Sequence, residues 1–465
     1  MNKITNPVTR LTFALTLCLF FTLFVSGQNA AKPLPTNDQI TAKVDEYMKA
    51  VLQVDGFSGT ILIARDGKPI VSQGYGMANA ELNVPNTPET IFRLGSVTKQ
   101  FTSMSIMMLR ERGKLSISDP ICKYLGDCPD AWKPITIRNL LTHTSGITNY
   151  TGFADFAKTT VMPITTTAMA DRLKKEPLEF TPGEKYAYSN SGYYLLGAII
   201  EKVSGKLYAD FLQENVFTPL GMKQTGYDDP LRIIMHRAAG YQKQAGKIIN
   251  ASYMDMSVPF AAGSLYSTTG DLLIWDQALY TEKLVSRKSL DEIFTPWKGE
   301  SGYGYGWNIG KQFERRQISH GGGIYGFATQ IARYPDDRVT VVVLSNIQAA
   351  PVGIIANNLS AIVFGAPYEI PKERKEISLD AKVLEKYVGE YQIGTNIMVA
   401  ITLESGKLMG QLGGQSKFSL LAESETQFFS KDVNAQFVFI KDASGLVTGF
   451  TLKQGGGNTP AKKVK

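Results

Sequence analysis

Residues 57–76 read Phe-Ser-Gly-Thr-Ile-Leu-Ile-Ala-Arg-Asp-Gly-Lys-Pro-Ile-Val-Ser-Gln-Gly-Tyr-Gly. Two β-rich runs, 57–64 and 69–76, flank an Asp-Gly pair at positions 66 and 67. Asp-Gly favours the tight turns that join neighbouring antiparallel strands, because these residues accept positive φ angles. This stretch therefore predicts a β-hairpin near the start of the folded chain.

A second hairpin is predicted late in the chain, where the β-rich runs 327–334 and 339–345 flank Pro-Asp-Asp-Arg at 335–338. Between the two hairpins the pattern becomes helical, as in 96–112, where apolar residues recur at helical spacing before Gly113. The order predicts an α+β domain. Its antiparallel sheet is built from the N- and C-terminal parts of the domain and flanked by helices, with a mostly helical insertion.

The chain changes character after this domain. Residues 365–376 contain two prolines and a Lys-Glu-Arg-Lys-Glu run, which is typical of a domain boundary. We therefore assign 28–368 to the main domain and 378–465 to a small all-β domain, an antiparallel barrel or sandwich. Its predicted strands, separated by glycine turns, cover residues 387–391, 398–403, 407–412, 436–440 and 446–452.

Composition excludes several classes of protein. The 465 residues are 43% hydrophobic and 20% charged, which is typical of globular chains and not of disordered ones. The net charge of +7 includes Lys3 and Arg10 of the N-terminal leader, so the chain beyond the leader carries +5. Basic residues are interspersed with acidic ones and form no stripe, so we expect no nucleic-acid partner.

The N-terminus predicts a signal peptide at 1–27. Residues 1–10 are short and basic, residues 11–25 are apolar apart from threonines, and small residues follow. This apolar run is shorter than the ~20 residues that span a bilayer. Leu17 also precedes Cys18, where a lipoprotein signal has a small residue. We expect an exported protein, periplasmic or extracellular, with no stable membrane anchor after cleavage.

Only Cys122 and Cys128 remain after the leader. Two cysteines six positions apart in a turn-like stretch of an exported chain are candidates for a small disulfide loop, and two free thiols are the alternative. Only three histidines are present, and the nearest, His143, lies fifteen residues further on. We therefore expect no metal site and no cofactor.

The first chemical candidate is Ser96-Val-Thr-Lys99, the only Ser-x-x-Lys of the chain, at the start of an amphipathic helix. A spacing of three places both side chains on one helix face. A serine hydroxyl is a weak nucleophile that needs a base, and a partly desolvated lysine amine can serve. The alternative is a helix-capping serine followed by a surface lysine.

Two further motifs lie downstream. Tyr188-Ser-Asn190 is the only Tyr-x-Asn, in a loop that leads into a helix; a phenol near a lysine can carry protons, and an amide can bind both the lysine and a substrate carbonyl. His320-Gly-Gly-Gly323 precedes the late hairpin, where a bare strand can offer backbone N–H groups to an oxyanion. Packing and capping roles, and an incidental surface histidine, are the alternatives.

Together, in this order and spacing, the three motifs resemble the serine β-lactamase and penicillin-binding-protein superfamily. The class C β-lactamase-like branch, with esterase, D-aminopeptidase and D,D-peptidase relatives, is the most similar. The resemblance covers about residues 41–364, and the tail resembles small β-barrel domains often fused to such hydrolases. Stretches typical of that branch are 137–146, 195–205, 219–222 and 262–268.

The resemblance implies a role for each motif residue. Ser96 would be the acylated nucleophile, Lys99 and Tyr188 the acid/base pair, with the proton acceptor left open, and Asn190 the residue that orients Lys99 and the substrate. The remaining site assignments are His320 as the third-motif residue, Gly322 and Gly323 beside it, the backbone N–H groups of Ser96 and Gly323 as the oxyanion hole, and His143 as structural.

The sequence thus predicts a secreted serine hydrolase that cleaves an ester, amide or D-amino-acid-containing peptide through an acyl-enzyme. A β-lactamase or D,D-carboxypeptidase is one alternative, and a catalytically silent cell-wall or ligand-binding protein is another. His320 stands where the Lys-Thr-Gly motif of the superfamily has lysine, as in the His-x-Gly motif of the class C-like branch. We therefore expect weak binding of substrate carboxylates, improving below about pH 6.5 as an ordinary histidine gains charge.

Overall fold

The computed structural model describes residue 1 and residues 34–244, 247–297, 301–394, 397–413, 417–433, 435–454 and 457–465. The predicted signal peptide, 1–27, lies outside the described residues except for residue 1. The part from Pro35 to Lys465 forms one compact unit.

Most helices lie between the two predicted hairpins. In chain order they are α1 (Asn37–Asp55), α2 (Thr98–Glu111), α3 (Cys122–Leu125), α4 (Ile137–Leu141), α5 (Phe156–Thr159), α6 (Thr166–Leu173), α7 (Asn190–Ser204), α8 (Tyr208–Leu212), α9 (Thr218–Leu220), α10 (Phe260–Gly263), α11 (Thr269–Ala278), α12 (Arg287–Ile293), α13 (Val352–Phe364) and α14 (Ala381–Leu384). Short 3₁₀ turns cover Gly95–Val97, Asp130–Trp132, Tyr150–Gly152 and Glu385–Tyr387, and a π-turn covers Gln213–Phe217.

The strands of the main domain are β1 (Gly59–Arg65), β2 (Lys68–Tyr75), β3 (Met77–Asn79), β4 (Val84–Pro85), β5 (Phe92–Arg93), β6 (Gly226–Tyr227), β7 (Tyr241–Gln244), β8 (Lys247–Asn250), β9 (Leu265–Ser267), β10 (Asn308–Gln312), β11 (Arg315–Ile324), β12 (Phe327–Tyr334) and β13 (Val339–Ser345). The C-terminal strands are β14 (Gly389–Ile393), β15 (Ile397–Glu404), β16 (Lys407–Leu412), β17 (Phe418–Ala422), β18 (Gln427–Ser430), β19 (Ala435–Lys441), β20 (Val447–Gln454) and β21 (Gly457–Lys463).

Both predicted hairpins form, and they join in one sheet. The six strands follow the order β10-β11-β12-β13-β1-β2, and every neighbouring pair is antiparallel. Asp66 and Gly67 both have positive φ at the first turn, 51° and 72°, as the Asp-Gly pair predicted. Because β1 pairs directly with β13, the two ends of the domain meet at the centre of the sheet, and the predicted α+β class is confirmed.

The central strands are buried on both faces because their side chains alternate between two cores. Ile61 and Ile63 of β1 pack with α1 and α13, whereas Leu62 packs with the helical insertion around α2 and α7. The same alternation separates Val341 from Val342 in β13. Continuous apolar runs are therefore required here, and they made both hairpins visible in the sequence.

The C-terminal strands close into an eight-stranded antiparallel barrel, with β14 pairing both β15 and β21. This resolves the choice between barrel and sandwich. Its interior forms a separate hydrophobic cluster rich in rings, including Tyr387, Tyr391, Phe437 and Phe450. Of the eight strands, β17, β18 and β21 were not predicted, since pairing with neighbouring strands defines them more than their own sequence does.

Residues 366–380 connect the two parts without helix or strand. The amide of Asn358 donates to the carbonyl of Glu369 at 3.2 Å, on the main-domain side. Arg374 forms an ion pair with Glu423 of the barrel, at 2.6 Å. These two contacts lie on either side of residues 370–373, and the domain boundary within 365–376 stays a prediction.

Two features lie outside this core architecture. Cys122 and Cys128 are joined in a disulfide, with Cα atoms 5.7 Å apart. Among the described residues, the helices are too short or too polar to cross a bilayer.

Candidate active site

The site is built around the first turn of α2. Gly95 has a φ of 54°, so the chain turns sharply out of β5 and presents Ser96 in a 3₁₀ turn that continues into the helix. Lys99 follows one turn later on the same face. The Nζ atom of Lys99 lies 3.1 Å from the Oγ atom of Ser96.

Lys99 is fully buried and has three polar neighbours. Besides Ser96, its Nζ atom contacts Oδ1 of Asn190 at 2.8 Å and the carbonyl oxygen of Ala262 at 2.9 Å. No described carboxylate forms an ion pair with it. Burial therefore lowers the pKa of Lys99 well below its ordinary value, because no negative charge compensates the loss of hydration.

This arrangement favours one orientation for the neutral amine. Asn190 Oδ1 and the Ala262 carbonyl can only accept, so each takes one N–H of an uncharged Lys99. The remaining lone pair then faces Ser96, whose hydroxyl can donate. The geometry thus suits Lys99 to accept the Ser96 proton.

Asn190 is the first residue of α7, and it is held by Asn149, which precedes the 3₁₀ turn Tyr150–Gly152. Its backbone N–H donates to Oδ1 of Asn149 at 3.1 Å, while Oδ1 of Asn190 accepts from Lys99. The described residues give its amide nitrogen no partner, and Asn190 lines the cleft above Ser96. The amide can therefore hold Lys99 and donate to a substrate carbonyl.

Tyr188 closes the site on the other side of Lys99. Its ring centroid lies 4.9 Å from Lys99 Nζ. Burial raises the pKa of Tyr188 above its ordinary value, and its hydrogen bond with the Ser96 hydroxyl opposes that rise in part. Tyr188 is therefore held as a protonated phenol that can pass a proton on.

Glycines bring β11 against the serine turn. A Cβ on Gly322 would lie 2.0 Å from the backbone oxygen of Leu94, and a Cβ on Gly95 would lie 2.9 Å from the nitrogen of Gly323. Only residues without side chains permit this approach. Gly323 and Ser96 consequently border the same cleft, as a backbone oxyanion site requires.

His320 lies nearby but is buried, with 4% of its surface exposed, and it does not line the cleft. Its Nδ1 lies 2.6 Å from the carbonyl oxygen of Gly321, so Nδ1 carries the proton. Its Nε2 lies 2.9 Å from the hydroxyl of Tyr303, which donates to it. Both ring nitrogens are therefore occupied within the protein.

The expectation that His320 gains charge below about pH 6.5 is wrong. Burial, and next repulsion from Lys99 in its protonated form, lower the pKa of His320 to about 4. His320 would need contact with solvent to keep the ordinary pKa of a histidine. His320 therefore stays neutral through the mildly acidic range.

The cleft above Ser96 has a volume of about 360 Å³. It is lined by Gly95, Ser96, Tyr150, Thr151, Phe156, Asn190, Met254, Val258, Pro259, Ala262, Gly263, Gly323, Ile324, Tyr325 and Gln348. None of these described side chains carries a formal charge, and most of the walls are apolar or aromatic. The cleft thus fits an uncharged group better than an ionic one.

The structure brings Ser96, Lys99, Tyr188 and Asn190 together, and Gly323 beside them. The disulfide of Cys122 is not part of the cleft lining. The sequence alone does not reveal the carbonyl of Ala262, the partner hydroxyl of Tyr303 or the apolar walls. A backbone acceptor and a distant wall residue leave no spacing signal in a sequence.

Comparison with known proteins shows the family to which this chain belongs. A family model described as "Beta-lactamase" matches residues 40–362, and one described as "Domain of unknown function (DUF3471)" matches residues 373–461. The chain therefore belongs to the β-lactamase family, and the resemblance identified from its motifs is confirmed.

Among its relatives, a penicillin-binding protein of Bacillus subtilis (strain 168) is 33% identical over 88% of this chain and 95% of its own. The teichoic acid D-alanine hydrolase of Staphylococcus aureus (strain NCTC 8325 / PS 47) is 27% identical over 66% of this chain and 73% of its own. The octameric penicillin-binding protein homologue from Pyrococcus abyssi superposes with a TM-score of 0.64 at 26% identity, covering 91% of this chain and 100% of that one. The protein is thus a β-lactamase-related hydrolase of the penicillin-binding-protein type.

Proposed function

We propose that this protein is an exported serine hydrolase that cleaves esters or amides of uncharged acyl groups through a covalent acyl-enzyme on Ser96. The observation that carries the proposal is the buried amine of Lys99, 3.1 Å from the Ser96 hydroxyl and without a carboxylate partner. A silent binding protein would have no need to bury an uncompensated lysine beside a serine.

In the proposed reaction, the Ser96 hydroxyl gives its proton to Lys99 as Oγ attacks the carbonyl carbon. The backbone N–H groups of Ser96 and Gly323 bind the resulting oxyanion. Tyr188 gives its phenol proton to the departing alcohol or amine and takes the proton held by Lys99 in its place, leaving an acyl ester on Ser96 and both residues restored. Water then attacks that ester, releases the acid and returns the proton to Ser96.

The choice of substrate rests on the cleft. Penicillins and peptide C-termini carry a carboxylate beside the scissile bond, and free D-amino acid derivatives carry an ammonium group. The described cleft lining has no charged side chain to meet either, and both nitrogens of His320 are occupied. Desolvating an ionic group there costs free energy that nothing returns, which favours neutral acyl esters and amides.

The relatives keep two alternatives in view. One relative is a penicillin-binding protein and another a teichoic acid D-alanine hydrolase, so β-lactam and D-alanyl ester substrates belong in any test. Export is inferred from the leader sequence and is tested by N-terminal sequencing of the protein recovered outside the cytoplasm.

The decisive experiment is intact-protein mass spectrometry after brief exposure to 4-nitrophenyl esters, a D-alanyl ester and benzylpenicillin. We expect an acyl adduct that maps to Ser96, forms fastest with the neutral ester and is absent from Ser96→Ala. Failure of all three substrates, and of a fluorophosphonate, to label Ser96 would favour the silent binding protein.

A further inference from the structure

His143 lies behind the site, at the centre of a cluster of aromatic rings. It is 1% exposed and does not line the cleft. Its ring centroid lies 4.3 Å from that of Tyr188, 4.7 Å from that of Tyr303 and 5.0 Å from that of Tyr193. The sequence assigned it a structural place, and the proposed reaction does not use it.

The backbone of His143 and its side chain hold the chain on both sides of Tyr188. The N–H of Ala187 donates to the carbonyl oxygen of His143 at 2.9 Å. The N–H of Ser189 donates to the Nδ1 atom of the same residue at 3.1 Å. One residue therefore fixes both flanking peptides of Tyr188, and its ring packs against the Tyr188 ring.

This arrangement requires a neutral imidazole with one particular tautomer. Because Nδ1 accepts a hydrogen bond from Ser189, the proton lies on Nε2, which has no partner among the described residues. Burial lowers the pKa of His143 well below its ordinary value, and repulsion from Lys99 or His320, whenever either is protonated, acts in the same direction. An unpartnered buried N–H is costly, and an apolar ring of similar size would avoid that cost.

We propose that His143 is a positioning residue that aims the Tyr188 hydroxyl at the Ser96–Lys99 pair, through the acceptor atom Nδ1 and the packed ring. The inference rests on the proposed role of Tyr188 in proton transfer. Displacing a proton-transfer group by about 1 Å can cost about 10²-fold in rate. Since Tyr188 carries protons and does not form the cleft wall, the loss should appear in kcat more than in KM.

Two variants of the full chain separate the acceptor from the ring. His143→Asn keeps an oxygen acceptor close to the position of Nδ1, and asparagine tolerates the φ of 56° found here. His143→Phe keeps a packed ring but leaves the N–H of Ser189 without a partner. Each is assayed with 4-nitrophenyl acetate, with the melting temperature measured in parallel.

We expect His143→Phe to lower kcat at least about 30-fold with KM changed less than about threefold, and His143→Asn to stay within about tenfold of wild type. A loss in kcat of less than about 30-fold in His143→Phe overturns the proposal. If His143→Phe does not fold, His143→Asn decides: a loss above tenfold overturns the proposal, and a smaller one supports it.

A double-mutant cycle distinguishes positioning from general support of the fold. In a Tyr188→Phe background, His143→Phe should lower kcat by less than about threefold, because its target is already gone. An undiminished effect there overturns the proposal. If Tyr188→Phe alone leaves kcat unchanged, the proposed function fails instead, so the two failures are separable.

Discussion

The site region buries a cluster of polar groups, whereas the interior of the C-terminal barrel is mainly apolar. In the barrel, β14 pairs with β21, and aromatic rings fill the interior. The ring centroids of Phe437 and Phe450, for example, lie 5.2 Å apart. In the main domain, the start of α2 buries Lys99 against oxygen atoms, and β11 approaches it over glycines. The buried polar cluster therefore lies beside Ser96, whereas the interior of the barrel is a largely aromatic hydrophobic core.

Ser96→Ala gives the sharpest contrast between the two regions. We expect kcat to fall at least about 10³-fold, as after removal of other catalytic nucleophiles, while the melting temperature changes little because Ser96 contributes no core burial. Steady-state kinetics with an aryl ester and thermal unfolding measure both. Retention of more than a tenth of the wild-type kcat would rule out the acyl-enzyme.

Lys99→Met and Tyr188→Phe should each lower kcat by about 10²–10⁴-fold, because each removes a proton-transfer group of the same unit. The double variant should be hardly worse than the more impaired single variant. Lys99→Met also removes a buried amine without changing volume greatly, so its melting temperature should not fall. Additive losses in kcat would show that the two residues act in separate steps.

Adjacent glycines of β11 offer a matched pair. Gly322→Ala places a Cβ 2.0 Å from the backbone oxygen of Leu94 and must push β11 away from the serine turn, whereas Gly323→Ala meets no atom within 4 Å. We expect Gly322→Ala to lower the free energy of unfolding by about 1–3 kcal/mol more than Gly323→Ala. Equal melting temperatures would mean that this close approach does not constrain the site.

Substrate preference tests the uncharged cleft. At pH 7.5 we expect kcat/KM for a short-chain aryl ester to exceed that for benzylpenicillin at least about tenfold. This ratio corresponds to the loss of one hydrogen bond to a charged group. Because the pKa of His320 is lowered to about 4, it stays neutral at pH 5.5, so the ratio should change less than about threefold between the two pH values. A ratio that narrows steadily below pH 6.5 would show that His320 titrates in contact with substrate.

Removal of the barrel should have the smallest effect on chemistry. We propose that 28–368 and 378–465 are separate domains, so a chain ending at Glu369 should stay folded and keep kcat for a small ester within about threefold. As a control in the full chain, Phe450→Ala should lower the stability of the barrel by about 3–5 kcal/mol without lowering kcat. Loss of activity in either would assign the barrel a part in shaping the cleft.

Much of the fold could be predicted from local sequence patterns. The hairpins at Asp66-Gly67 and 335–338, and the bounds of β12, β13 and β16, follow from alternation and turn residues, which act over a few positions. Strands β17, β18 and β21 were missed because cross-strand pairing, and not their own sequence, defines them. Tyr303 was missed for the same reason, since it reaches His320 only in the folded chain.

The family follows from the order and spacing of the three motifs, which the sequence shows without any structure. The same motifs supply the residues of the proposed chemistry, and a spacing of three places Ser96 and Lys99 on one helix face. The environment of those residues is visible only in the folded chain. Segments far apart in the chain pack around Lys99 and His320, and the resulting desolvation lowers the pKa values of both residues. The same packing keeps His320 out of the cleft lining and surrounds Ser96 with uncharged walls. Burial is a property of packing, and no short stretch of sequence contains it.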